Sequence, residues 1–200
     1  MPADADGPLF ADDVAPSTSS PSDAELLRRL REGDELALEA IFRTHYDGMC
    51  AFVQRFVYAP DVSEELVQEV FFKLWAKREQ MAEIDALKTY LYRAARNTAL
   101  NHLRRRKLEQ NWEEHEGARG EPIAGESADD ETSTDELTRA VDRAVRRLPD
   151  RCREIFLMSR EGGLTYGQIA GALGISIKTV ETQMGRALKS LRSALAKYRE

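Results

Sequence analysis

The run from Leu164 to Arg192, LTYGQIAGALGISIKTVETQMGRALKSLR, admits few folds. Thr165 with Gln168 three residues later has the form of a capping box, and Leu164 with Ile169 that of a hydrophobic staple. Ile169, Ala172 and Leu173 continue one apolar stripe until Gly174 ends the helix. Ser176 then caps a second helix, with Ile175 and Val180 as its staple. In that helix Ile177, Val180, Met184, Ala187, Leu188 and Leu191 share one side. Lys178, Thr179, Thr182, Arg186 and Lys189 are therefore left on the opposite, wet side, which is the plan of a helix-turn-helix.

An ordinary helical hairpin with a solvated polar face is the competing reading. Charge argues against it. From Ile177 to Glu200 the chain carries Lys178, Arg186, Lys189, Arg192, Lys197 and Arg199 against Glu181 and Glu200, within a protein of net charge −6. Short hydroxyl side chains interleave with these bases, a mixture suited to phosphates and base edges. The net charge itself hides a segregation. Residues 1–22 carry −4 and residues 109–136 carry −10, which leaves +8 on all the rest. The segments expected to fold are basic, and the acid lies in the segments expected not to.

Cys50 and Cys152 stand a hundred residues apart, and His45, His102 and His115 form no ligand spacing with them, so buried free thiols and no metal are expected. No apolar run approaches membrane-spanning length and the start, MPADADGPLF, lacks the basic and apolar parts of a signal peptide. A cytoplasmic protein is the expectation.

Residues 1–21, rich in Asp, Ala, Pro and Ser, are expected to be a disordered tail. Ser22 and Glu25 suggest a capping box for a short helix, Asp23 to Glu32, that Gly33 ends. Asp34 can cap a longer one, from Glu35 to about Ala59, whose apolar residues from Leu38 to Phe56 recur at intervals of three and four. After Pro60, Asp61 with Glu64 suggests a third capping box, ahead of VSEELVQEVFFKLWAKRE. That helix is apolar through Leu66, Val67, Val70, Phe71, Leu74 and Trp75, with Glu64, Glu65, Gln68 and Glu69 near its start. Acids in a first turn suit the helix dipole, and an acid and amide rim around large apolar groups equally suits a protein-docking surface. Leu87 to about Lys107 reads as a helix with seven basic residues and no acid, in which Tyr90 and Tyr92 mix with Arg93, Arg96, Asn97 and Asn101. Rings, amides and guanidinium groups can hold unstacked bases and their backbone.

Residues 109–134 are acidic with Gly, Ser and Pro and are expected to be a flexible linker, with Trp112 packing back on the first domain or ordering in a complex. Helices over 136–147 and 150–161, separated by Pro149, then lead through Gly162 and Gly163 into the helix-turn-helix. No segment shows strand alternation. The expected fold is all-α: two small helical domains, 22–108 and 135–200, joined by the acidic linker, the second containing the helix-turn-helix.

Three runs in this order resemble a bacterial sigma factor of the extracytoplasmic-function group, within the sigma-70 superfamily. EELVQEVFFKLW looks like the core-polymerase-binding helix, LKTYLYRAARNTALNHLRRR like the minus-ten segment, and the region from Leu148 to Ala187 like the minus-thirty-five domain. The resemblance implies a transcription initiation factor that performs no covalent chemistry and needs no cofactor. Glu64, Glu65, Gln68, Glu69 and Phe71 would dock on the clamp helices of the polymerase β′ subunit. Tyr90, Arg93, Arg96, Asn97, Asn101 and Arg104 would meet the melted minus-ten element, with the loop Glu79–Asp85 holding a flipped base. Lys178, Thr179, Glu181, Thr182, Gly185, Arg186 and Lys189 would face the minus-thirty-five major groove. RNA polymerase core and promoter DNA are the implied partners, and an anti-sigma factor is a further one that many relatives have.

The sequence departs from the family pattern at Tyr90, where Trp is common, and at Glu181, where a basic residue is common. A carboxylate in the groove is repelled by phosphate yet can accept from cytosine N4, which implies an altered sequence preference. The rival reading is a regulator of the LuxR type, whose helix-turn-helix LTYGQIAGALGISIKTVETQ also resembles. Such a regulator carries an α/β-patterned domain ahead of that motif, and here the first half reads as helix. Nothing with the form of a phosphate loop, nucleophile elbow or metal cluster points to an enzyme.

Overall fold

The computed structural model describes residues 21–80, 86–115 and 133–198, and among them every regular element is helical. The expected N-terminal tail, most of the 109–134 linker and all but the start of the Glu79–Asp85 loop lie outside the described residues. In chain order the helices are α1 (Asp23–Arg31), α2 (Glu35–Val57), α3 (Pro60–Ala76), α4 (Leu87–His115), α5 (Ser133–Arg146), α6 (Asp150–Arg160), α7 (Tyr166–Leu173) and α8 (Ile177–Ala194). Single 3₁₀ turns follow α3 at Arg78–Gln80 and α8 at Ala196–Tyr198.

Local sequence sets most of the boundaries. The Ser22 hydroxyl accepts from the Glu25 amide at 3.3 Å, but the Glu25 carboxylate is taken by Arg28, so only half of the expected capping box forms. Gly33, at φ +83°, ends α1: its amide donates to the Leu30 carbonyl and the Asp34 amide to that of Arg29, a Schellman pair. Asp34 then caps α2 through the Leu36 amide at 2.9 Å while Arg29 holds its other oxygen. That guanidinium, aided by the Leu36 amide, keeps the Asp34 carboxyl below its ordinary pKa.

Three boundaries differ from the sequence reading. Helix α2 stops at Val57 because Tyr58 adopts a left-handed conformation, φ 56°, two residues ahead of Pro60. The Asp61–Glu64 capping box does not form. Pro60 already occupies the first helical position of α3, its fixed φ preset for a helix, so Asp61 lies inside the first turn and Ala59 stands at the cap with no side-chain bond. Helix α4 runs to His115, past Trp112 and well beyond the expected end near Lys107. No Gly or Pro interrupts residues 108–115, and a continuing helix needs no fresh nucleation there.

Helices α2, α3 and α4 pack against one another, with α1 across α2 and α4. Their shared interior holds Ile41, Met49, Phe52, Val53, Leu74, Leu87, Leu91 and Ala95, each fully or almost fully buried. Helices α6, α7 and α8 pack around Ile155, Met158, Ile169, Val180 and Ala187, and α5 lies along α8. The two groups share one continuous core, because α4 packs directly on α7 and α2 on α6. Tyr92 on α4 is the hinge of this packing. Its ring meets Phe52 edge-on at 5.1 Å, an arrangement that adds about 0.5–1.5 kcal/mol to the burial of both rings. On its other side Gly162 comes so near that a Cβ there would sit 3.1 Å from Tyr92 Cδ1 and 2.5 Å from the Met158 carbonyl.

Tyr92, at 4% exposed, is therefore core and not available to stack on bases. Cys152 is a buried free thiol as expected, whereas the free thiol of Cys50 is only half-buried, and burial with nearby carboxylates raises its pKa. Among the described residues no group of His, Cys, Asp and Glu could hold a metal ion, and no helix is long and apolar enough to cross a membrane.

Candidate nucleic-acid and protein interfaces

The α7–α8 unit is built as its sequence reads. The Thr165 hydroxyl accepts from the Gln168 amide at 3.3 Å and the Gln168 side chain accepts from the Thr165 amide at 2.9 Å, so both halves of this capping box are present. Gly174, at φ +63°, ends α7, with the Ile175 amide reaching back to the Ala170 carbonyl. The Ser176 hydroxyl accepts from the Thr179 amide and opens α8. Val180, Met184, Ala187 and Leu191 are buried, and Cys152 donates to the Gln183 amide oxygen at 3.0 Å, which pins α8 to α6.

Two members of the expected apolar stripe stay outside the core, Ile177 at 51% exposed and Leu188 at 38%. Ile177 is the first residue of α8 and Leu188 lies at the edge of the stripe, so neither is covered by α6 or α7. Lys178, Glu181, Thr182, Gly185, Arg186 and Lys189 are all exposed. At 100° per residue five of them fall on one face, with Glu181 at its margin. Thr179 is half-buried, its hydroxyl 2.9 Å from that of Ser176, and serves the cap. Among the described residues nothing outside its own stretch of helix lies within 4 Å of a Cβ placed on Gly185, so packing does not require a glycine there.

Along α4, Arg93, Asn97, Asn101 and Arg104 are exposed and recur at helical spacing on one side. Arg104 donates to the Asn101 side chain at 2.9 Å, which holds both groups extended along the helix. Tyr90 is partly buried beside them with the Arg93 guanidinium 5.9 Å from its ring; burial raises its pKa and the Arg93 charge opposes that shift. Arg96 differs from the rest. Its guanidinium donates to Glu154 of α6 at 2.8 Å and to Asn97 at 2.9 Å, and its Nε is buried without a partner.

On α3, Glu64, Glu65 and Gln68 are exposed, and Glu69 is half-buried in an ion pair with Lys73. Phe71 is not part of that surface. It is 6% exposed, and its ring packs on Phe42 at 4.9 Å and on Tyr46 at 6.5 Å. The exposed aromatic is the next residue, Phe72, at 72%. The apolar stripe read from the sequence already leaves Phe72 out, and the docking role fell to Phe71 only through the family resemblance. The signal available was angular: counted at 100° per residue from Leu66, Val67, Val70 and Leu74, Phe72 falls outside the stripe.

Residues 41–109 match the family pattern described as Sigma-70 region 2, and residues 138–191 the one described as Sigma-70, region 4, which together take in more than half of the chain. The chain belongs to the sigma-70 family. This sigma factor is 27% identical over 180 residues to the RNA polymerase sigma-H factor of Pseudomonas aeruginosa, an alignment covering 86% of this chain and 93% of the relative. It is 27% identical over 177 residues to the ECF RNA polymerase sigma-E factor of Escherichia coli, covering 85% and 92%. Its fold is that of the sigma factor RpoE of Bartonella quintana, solved with the anti-sigma factor NepR, with a TM-score of 0.64, 23% identity, and coverage of 79% of this chain and 96% of that one. The region 2 match also disposes of the LuxR-type alternative, since residues 41–109 belong to a sigma-70 helical region and not to an α/β sensing domain. A sigma-70 factor is a transcription initiation factor: this chain binds RNA polymerase core and promoter DNA and directs where transcription starts.

Proposed function

We propose that this sigma factor, acting in the cytoplasm, divides its work between two modules, residues 22–108 and 135–200, and assign each surface a role. The helices α1–α4 bind core polymerase and the minus-ten element, and α5–α8 bind the minus-thirty-five element. On α3 the docking face for the β′ clamp helices consists of Glu64, Glu65, Gln68 and Glu69 around Phe72. An exposed aromatic ringed by acids and an amide is the composition of an interface centre with its polar rim. Phe71 supports that face from beneath by fixing α3 on α2.

The observation that carries the DNA assignment is the pair of wet faces on α4 and α8. On α4, Arg93, Asn97, Asn101 and Arg104, with Tyr90 at the margin, offer amides and guanidinium groups to unpaired bases and their backbone. On α8, Arg186 and Glu181 have the reach to read base edges, and Lys178, Thr182 and Lys189 hold phosphates. Gly185 leaves room for the groove wall to approach the helix, and Ile177 can contact a thymine methyl. Interactions with unpaired bases offset the cost of opening the duplex, so the protein needs neither cofactor nor covalent step.

A relative of the same fold has been solved with an anti-sigma factor, which supports an inhibitory partner for this chain as well. The division of labour is tested by promoter binding with and without core polymerase. The free chain should bind duplex promoter weakly and blindly to sequence, and holoenzyme should protect both elements from nuclease. Equal protection by the free chain would overturn the account.

A further inference from the structure

Two asparagines on the exposed face of α4 are each held by an arginine of the same helix. Arg96 donates from Nη1 to the Asn97 side-chain oxygen at 2.9 Å, and Arg104 donates from Nη1 to that of Asn101 at 2.9 Å. A guanidinium has five N–H donors and no acceptor, so the amide atom that faces it has to be the oxygen. Both asparagines are exposed, and with the oxygen engaged the group each has left to offer is its NH2, a donor. Both bonds join residues of α4 and depend on no other helix. The rest of the face adds nothing that accepts: residues 87–107 contain no carboxylate, and Arg93 and Arg104 bring donors alone.

We propose that these two locked amides make α4 a donor-only reader, which selects the keto bases thymine and guanine over the amino bases adenine and cytosine at two positions of the melted strand. Arg96 is the positioning residue for Asn97, and Arg104 for Asn101. The proposal rests on the reading of α4 as the helix that holds the minus-ten element. On the base edge that a major groove exposes, thymine presents O4 and guanine O6 and N7, all acceptors, whereas cytosine N4 and adenine N6 are donors. An asparagine with a free oxygen takes adenine by a bidentate pair, donating to N7 and accepting from N6. With the oxygen held by arginine that pair cannot be completed. Adenine then keeps one bond, at N7, and an amino group of adenine or cytosine meets a second donor and stays unpaired. Asn97 and Asn101 stand about 6 Å apart along the helix axis, against 3.4 Å for one step of a stacked strand. The two amides therefore meet different nucleotides.

The test uses holoenzyme assembled from core polymerase and the full chain. Its ligands are promoters with a preformed bubble, in which each minus-ten base is set to all four identities on one strand at a time. Affinity is read as the ratio of keto to amino base at each position, which cancels losses common to every promoter, and circular dichroism establishes that each variant is folded. The wild type is expected to show two positions on one strand where thymine and guanine exceed adenine and cytosine by about tenfold. Asn97→Asp and Asn101→Asp present an oxygen where the NH2 group stood, and each should reverse the ratio at one of the two positions, a different one for each variant. Arg96→Gln can accept as well as donate, which frees the Asn97 amide to turn over and should bring adenine up to the level of thymine at that position. Arg96→Lys, which still only donates, should keep the wild-type ratio.

A wild type with no keto preference overturns the proposal, as do aspartate variants that reverse no ratio. A ratio unmoved by Arg96→Gln, or lost equally in Arg96→Lys, overturns the positioning role. Asn97→Ala and Asn101→Ala separate this from the underlying reading. Sequence-blind losses in the alanine and aspartate variants would sink keto selection alone, whereas affinity untouched by all four would sink the assignment of α4 to the minus-ten element.

Discussion

Phe71 and Phe72 are neighbours on α3 with opposite surroundings: Phe71 closes over Phe42 and Tyr46, and Phe72 projects into solvent. Truncating them should separate stability from docking. Phe71→Ala removes a buried ring and should lower folding stability by about 3–5 kcal/mol. Phe72→Ala should leave the melting temperature nearly unchanged and reduce co-purification with polymerase core, as should the double variant Gln68→Ala and Glu69→Ala. Undiminished recovery of core by both of these variants would remove the docking assignment.

Gly185 lies inside α8 with open space around it. Replacing it with Ala should stabilise the free protein by roughly 0.5–1 kcal/mol, because glycine in a helix interior costs conformational entropy. The same methyl would stand on the face assigned to the major groove, so promoter-dependent transcription should fall while stability rises. Thermal melting and run-off transcription of the one variant check both halves, and a gain in both would mean that DNA does not approach α8 at this residue.

Much of this architecture is legible because its determinants are local. Thr165 and Gln168, Ser176, Gly33 and Gly174 each act within a turn of their own position, and all formed where the sequence places them. The failures have two kinds of cause. Asp61 and Glu64 satisfy a capping pattern, but Pro60 one residue earlier starts the helix first. Arg96 and Glu154 are 58 residues apart in sequence, and Arg55 and Asp142 are 87 apart. Each looks by itself like an ordinary charged residue of an amphipathic helix. Tyr92 was open to misreading for the same reason, since the groups that bury it, Phe52 and Gly162, come from α2 and from the loop after α6. Local chemistry thus pointed to α4 and α8 as candidate nucleic-acid faces and gave no sign that the two helical groups pack against one another.

Sequence reading by α8 should be separable from mere adhesion to DNA. Arg186 points away from the buried stripe and has the reach for a bidentate pair with guanine, worth about 1–3 kcal/mol of discrimination. Lys189, about one turn further on, should supply mainly a screened phosphate contact. Arg186→Ala is expected to lower transcription strongly and unequally across single-base changes in the minus-thirty-five element, and Lys189→Ala modestly and evenly, with a shallower dependence on salt. Equal, sequence-blind losses would make Arg186 a phosphate anchor.

Run-off transcription with purified core polymerase and the full chain on candidate promoters, with the start of each product mapped, tests promoter selection by this sigma factor most directly. A single defined start, appearing only when the chain is added and lost when either element is scrambled, is the predicted result. Core that yields no chain-dependent product from any of these promoters, or starts that ignore both elements, would contradict it.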